Sequence, residues 1–154
     1  MSTLDATDKK LLGLIQRDCK QTTKALSLQL DLSVTAVYER IKKLESAGII
    51  TDYIALVSKE KTDKNFVAYA HIKLKQHTQE NVVEFETKAV QLEDVLECYH
   101  ISGEFDFLLK VVFKDMKAYR EFMVEKLTRL DQIGSSHSMF VIKEVKQTYA
   151  IKVD

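Results

Sequence analysis

Apolar residues in this chain change their period once, and that change limits the fold more than any other feature. Up to Ala47 they recur every three or four positions, as on one face of a helix. From Phe66 they alternate, as on one face of a strand. Such a chain is a helical unit followed by a sheet-containing unit, an α+β protein. Proline is absent and glycine occurs four times in 154 residues, so little interrupts either pattern.

The first third predicts three helices. Leu4, Leu11, Leu12 and Ile15 share a face of the first. Thr22 caps a short second helix from Thr23 to Leu30, with Leu26 and Leu30 on one side. Asp31-Leu32 is a tight connection, Ser33 caps the third helix, and Val37, Ile41 and Leu44 make its apolar stripe. Gly48 ends that helix as a left-handed residue. Two short helices joined by about three residues behind a supporting helix make a helix-turn-helix.

The outer face of the third helix carries the chemistry of a DNA reader. Short Ser33, Thr35 and Ala36 at its N-terminal end allow close approach to base edges in the major groove. Arg40 can take a guanine edge or a phosphate. Glu39 can accept from cytosine or orient Arg40, and Lys42 and Lys43 suit phosphates. Tyr38 lies on the same face, and Thr22, at the start of the second helix, is counted with this set. A solvated, salt-bridged helix face has the same composition; the preceding short helix and tight turn favour the DNA reading. Residues 1–65 hold 11 basic and 9 acidic side chains in a chain balanced at 23 of each, a slight excess with the sign a DNA-binding head needs.

The remainder predicts strands and helices in the order β-α-β-β-α-β. Ile49 to Val57 is a short strand or linker, and the polar run 58–65 is the domain boundary, giving a head over 1–57 and a second domain over 66–154. Phe66 to Lys75 alternates as a strand, Asn81 to Leu92 is helical, and Val95 to Ser102 and Asp106 to Phe113 are strands around a Gly103-Glu104-Phe105 turn. Asp115 caps a helix from Met116 to Leu130, and Ser138 to Ile151 closes the sheet. This is a ferredoxin-like order. Helices cover one face of such a sheet, so the other face is expected to form a homodimer.

The segments LDATDKKLLGLIQRD, LSVTAVYERIKKLESAGIITDY, LECYHISGEFDFLLKV and SMFVIKEVKQT, in that order, resemble the Lrp/AsnC family of transcription regulators over nearly the whole chain. The resemblance implies a winged-type helix-turn-helix of three helices followed by a ferredoxin-like βαββαβ domain, the regulation-of-amino-acid-metabolism (RAM) domain. It implies dimers that assemble to tetramers or octamers, and an amino-acid effector in a cleft between dimers. The family's G-x-x-D turn falls on Gly103 and Asp106, and its T-x-T segment on Ser136 and Ser138, which keep the hydroxyls. Asp31 stands where the family's turn has glycine, and Asp131-Gln132 replaces a Pro-Gly in the loop toward the cleft.

The chemistry suits that role. Asp106 supplies an anion for an ammonium, N–H groups around Gly103 approach a carboxylate, and Ser102, Ser136 or Ser138 add hydroxyls. His100 and Met139 flank these positions. By themselves Gly103 and Asp106 favour a plain tight hairpin turn, and it is the resemblance that favours the ligand site.

The expected function is a sequence-specific DNA-binding regulator, cytoplasmic, with double-stranded DNA and a small effector as partners. A ligand-sensing module that regulates a metabolic enzyme partner, its head a protein-docking element, and an architectural DNA-binding protein are the alternatives. No apolar run nears the roughly 18 residues a membrane span needs, and no h-region follows Met1. Cys19 and Cys98 are too few for a disulfide framework. His71 and His77 lack metal-ligand neighbours, and no nucleophile elbow, Walker loop or dinucleotide loop occurs, so no metal, cofactor or enzymatic activity is expected.

Overall fold

The computed structural model describes residues 4–153. They form two compact units: one takes the chain up to Ala55 and regains it at Lys146, the other spans Leu56–Val145.

The first unit holds α1 (Ala6–Arg17), α2 (Thr23–Leu30) and α3 (Val34–Ser46). Each starts on a side-chain cap. Asp5 and Asp8 form a capping box on α1, Thr22 accepts from the Ala25 N–H, and Ser33 accepts from the Ala36 N–H at 3.1 Å. Asp31 adopts a left-handed conformation (φ 54°, ψ 48°), which lets only three residues separate α2 from α3. Aspartate tolerates that region better than most residues because its short side chain bonds locally. Gly48, at φ 67°, ends α3 as expected. Leu11, Leu12, Leu14, Ile15, Leu26, Val37 and Leu44 form the core. Residues 51–57 have no regular secondary structure.

The second unit is built from β1 (Phe66–Leu74), α4 (Gln79–Ala89), β2 (Val95–His100), β3 (Phe107–Phe113), α5 (Met116–Glu125) and β4 (Ile133–Phe140). The strand order is β2-β3-β1-β4, all neighbours antiparallel, which is the ferredoxin-like arrangement. Ala68, Ala70, Ile72 and Leu74 of β1 and Phe107, Leu109 and Val111 of β3 pack on Phe85 and Ala89 of α4 and Tyr119 and Phe122 of α5. By the two-residue alternation, Val67, Tyr69, His71, Leu108, Lys110 and Val112 project from the opposite face.

Several boundaries differ from the sequence reading. The last strand is Ile133–Phe140, not 138–151. Val141 still donates to the Val67 carbonyl at 3.0 Å, but there β1 begins, and the chain beyond has no strand to pair with. From Lys146 it packs with the helical unit, where Gln16 exchanges two hydrogen bonds with the Ile151 backbone (2.8 and 3.0 Å), although periodicity alone assigns residues 66–154 to the second domain. The final helix stops at Glu125 and continues only as a 3-10 turn at Leu127–Arg129. Finally, α4 starts two residues earlier than expected, at Gln79, because Thr78 caps it. Where β4 enters the sheet, Gly134 lies against β1's end; a Cβ there would come within 3.1 Å of the Lys75 backbone.

Candidate functional site

The N-terminal half of α3 is open to solvent. Thr35, Tyr38, Glu39, Lys42 and Lys43 are exposed, Ala36 is half-buried, and Ser33 is spent on the helix cap. Thr22 likewise caps α2. Lys42 donates to Glu45 at 3.0 Å and sits 5.9 Å from the Tyr38 ring centre, so its ammonium is held along the helix surface. Glu45 also accepts from the Tyr53 hydroxyl at 3.0 Å, tying the chain after α3 back to the helix. Burial, then the hydrogen bond to Glu45, pushes the Tyr53 phenol up to about 12. Arg40 does not share this exposed face. Its Nη1 donates to Asp5 (2.7 Å) and Asp8 (2.6 Å), and these carboxylates hold the guanidinium above its ordinary value.

The second cluster surrounds Asp106, the residue before β3. Its Oδ2 accepts from the Leu74 N–H at 2.7 Å, and its Oδ1 lies 2.7 Å from His77 Nδ1. Its backbone N–H bonds to the Ile72 carbonyl and its carbonyl receives the Ile101 N–H, which pins the β2–β3 connection to β1. Burial raises the Asp106 carboxyl, but the Leu74 N–H and His77 outweigh it and hold the group below its ordinary value. Gly103 has φ 119°, a conformation that favours glycine, and Ser102 beside it is exposed. His100 stacks on Phe107 (4.7 Å between centroids), stands 5.7 Å from the His77 ring and reaches Glu86 at 3.6 Å.

The β4 candidates lie apart from this cluster. Ile72 pairs with Phe107 on one side and Ser136 on the other, so β1 separates Ser136 from the Asp106 end by roughly 10 Å. Ser138 is hydrogen-bonded to the Tyr119 hydroxyl on the helix side of the sheet. Met139, the next residue, opposes Tyr69 and points from the other face. There His71, Phe105 and His137 form a ring cluster, with His71 Nδ1 buried and unpartnered among the described residues.

Sequence reasoning missed the partners rather than the positions. Asp5 and Asp8 carried a legible D-x-x-D cap signal, but their pairing with Arg40 spans more than thirty residues. His77 has no local signal pointing to Asp106, 29 residues away.

Residues 67–151 match the family model described as the Lrp/AsnC ligand binding domain, and residues 4–51 match one described as winged helix-turn-helix DNA-binding. The DNA-binding transcriptional activator DecR of Escherichia coli (strain K12) is 32% identical over 151 residues, covering 98% of this chain and 99% of its own. The leucine-responsive regulatory protein of the same strain is 34% identical over 145 residues, or 94% of this chain and 88% of its own. A transcriptional regulator of Neisseria meningitidis, solved in complex with L-Met, superimposes with a TM-score of 0.92 at 32% identity, over 97% of this chain and 96% of that one.

Proposed function

The chain belongs to the Lrp/AsnC family of DNA-binding transcription regulators, and we propose that its DNA affinity or assembly state responds to an amino acid bound near Asp106. The observation that carries this reading is a partly buried carboxylate at a glycine turn, on a sheet unit that follows a DNA-binding head. A similar chain, the Neisseria regulator, is described as an L-Met complex.

In this reading Thr35, Tyr38, Glu39, Lys42 and Lys43 face the duplex. The hydroxyl and carboxylate groups read base edges, and the lysines neutralise phosphates. The Thr22 and Ser33 caps order the helix starts beside the backbone. Arg40 holds α3 against α1 and keeps its angle. The sheet face bearing Tyr69, Leu108 and Met139 pairs with a second copy, so that two recognition helices meet half-sites about 34 Å apart. Asp106 takes the effector's ammonium, and N–H groups at Ser102 and Gly103 take its carboxylate. His100 bounds the side-chain pocket. Ser136, Ser138 and Met139 enter the site only if β4 meets it across an assembly contact. The effector shifts the equilibrium between assemblies through its different affinity for each.

Two measurements on the full chain test this. Selection from a random duplex library should return a preferred site whose affinity falls steeply with salt. A protein-docking head would show neither. Thermal shift against the twenty amino acids should give a hit that Asp106→Ala loses; ligand at 100 times its dissociation constant stabilises by about 2.7 kcal/mol. No hit at any amino acid removes the effector reading and leaves the DNA-binding one.

A further inference from the structure

Asp106 already has both carboxylate oxygens engaged. Oδ2 is bound by a main-chain N–H of β1, a contact that cannot move without opening the strand. Oδ1 is bound by His77. The Asp106 side chain is 18% exposed while that of His77 is 59% exposed, so the imidazole occupies the solvent side of a mostly covered carboxylate. The His100 ring, itself near Glu86, flanks His77. His77 lies in the connection between β1 and α4, one residue before the Thr78 cap, where a side chain can swing outward without disturbing either element.

We propose that His77 is a built-in competitor at the effector site, occupying the Asp106 oxygen that an amino acid's ammonium requires and leaving when the ligand binds. The proposal rests on the effector reading above. Its physical content is an exchange of one charge-assisted hydrogen bond for another at Oδ1. A ligand with a cationic nitrogen gains enough to displace the imidazole. A hydroxy acid of the same shape brings the hydrogen bond without the positive charge and displaces it less. His77 thereby sets the affinity threshold, while the Asp106 charge sets the preference for an amino group.

Titration calorimetry of the full chain with L-methionine, extended to the other nineteen amino acids, tests the idea. His77→Ala should bind the ligand about three- to tenfold tighter than wild type, the worth of one lost competing hydrogen bond. In an Asp106→Asn background the His77→Ala gain should shrink, since an amide oxygen accepts a weaker hydrogen bond than a carboxylate. Circular dichroism melts confirm that each variant is folded, which the exposure of His77 leads one to expect. Unchanged or weaker binding by His77→Ala overturns the proposal, and weaker binding makes His77 a residue that orients Asp106. If Asp106→Asn binds as wild type does, the ammonium sits elsewhere and the competitor falls while an effector remains. If wild type and His77→Ala bind none of the twenty, the effector reading itself fails.

Discussion

Arg40 of α3 and Asp8 of α1 are joined by a 2.6 Å ion pair, and the same guanidinium nitrogen reaches Asp5 at 2.7 Å. Asp8 is 3% exposed, so the pair sits at the edge of the helical core and fixes α3 against α1. A residue that sequence reasoning aims at DNA thus has one guanidinium nitrogen held by two carboxylates of its own domain.

Arg40→Ala should destabilise the helical unit by about 2 kcal/mol, because it leaves a buried charged acceptor without its partner. Urea unfolding measures this. The same variant should keep the slope of log affinity against log salt, since no phosphate contact is lost. A slope reduced by about one would return Arg40 to the DNA backbone.

Lys43→Ala is the opposite case. Lys43 is exposed on the outer face of α3. Its loss should weaken binding to preferred and unrelated duplexes alike and lower the salt slope by about 0.9. Stability should change by less than about 0.5 kcal/mol. Loss of discrimination with an unchanged slope would instead give Lys43 a base contact.

Tyr53 should titrate late. Its phenol is pushed up to about 12, chiefly by burial and then by the bond to Glu45. A raised folded value means the contribution is complete below the unfolded value of about 10 and is lost as pH rises through the folded value. Ultraviolet difference titration of wild type against Tyr53→Phe should show one phenol of the six ionising near 12. A difference midpoint near 10 would mean that the tether to Glu45 is open in solution.

Asp106 should resist acid. Its folded carboxyl lies below the ordinary value, so its stabilising effect is present above about pH 3.9 and disappears as pH falls through the lower folded value. Melting temperatures of wild type and Asp106→Asn, followed from pH 6 to 2.5, should therefore differ above about pH 3.9 and converge toward the acid end. A constant gap would show that the carboxylate charge is not what holds the Leu74 N–H.

The elements were legible because their signals are local. The caps Thr22, Ser33 and Asp115, the Gly48 stop and the alternation from Phe66 each specify structure within a few residues, and each stands where the sequence places it. The end of β4 was not legible. Val141 to Ile151 still carries the β-branched and aromatic residues Val141, Ile142, Val145, Tyr149 and Ile151, yet a strand continues only where a neighbour offers hydrogen bonds, and β1 begins at Phe66.

The candidate sites divide along the same line. By itself the sequence determined the family, the α+β architecture, the exposed polar face of α3 and the glycine turn beside Asp106, since period, capping and short motifs express local energies. Only the tertiary structure decided which charges were still available. Arg40 meets Asp8 across 32 positions and His77 meets Asp106 across 29, and Ser138 turns to Tyr119. Side-chain pairing depends on distance in space, and strand order and helix packing set that distance after the local elements have formed.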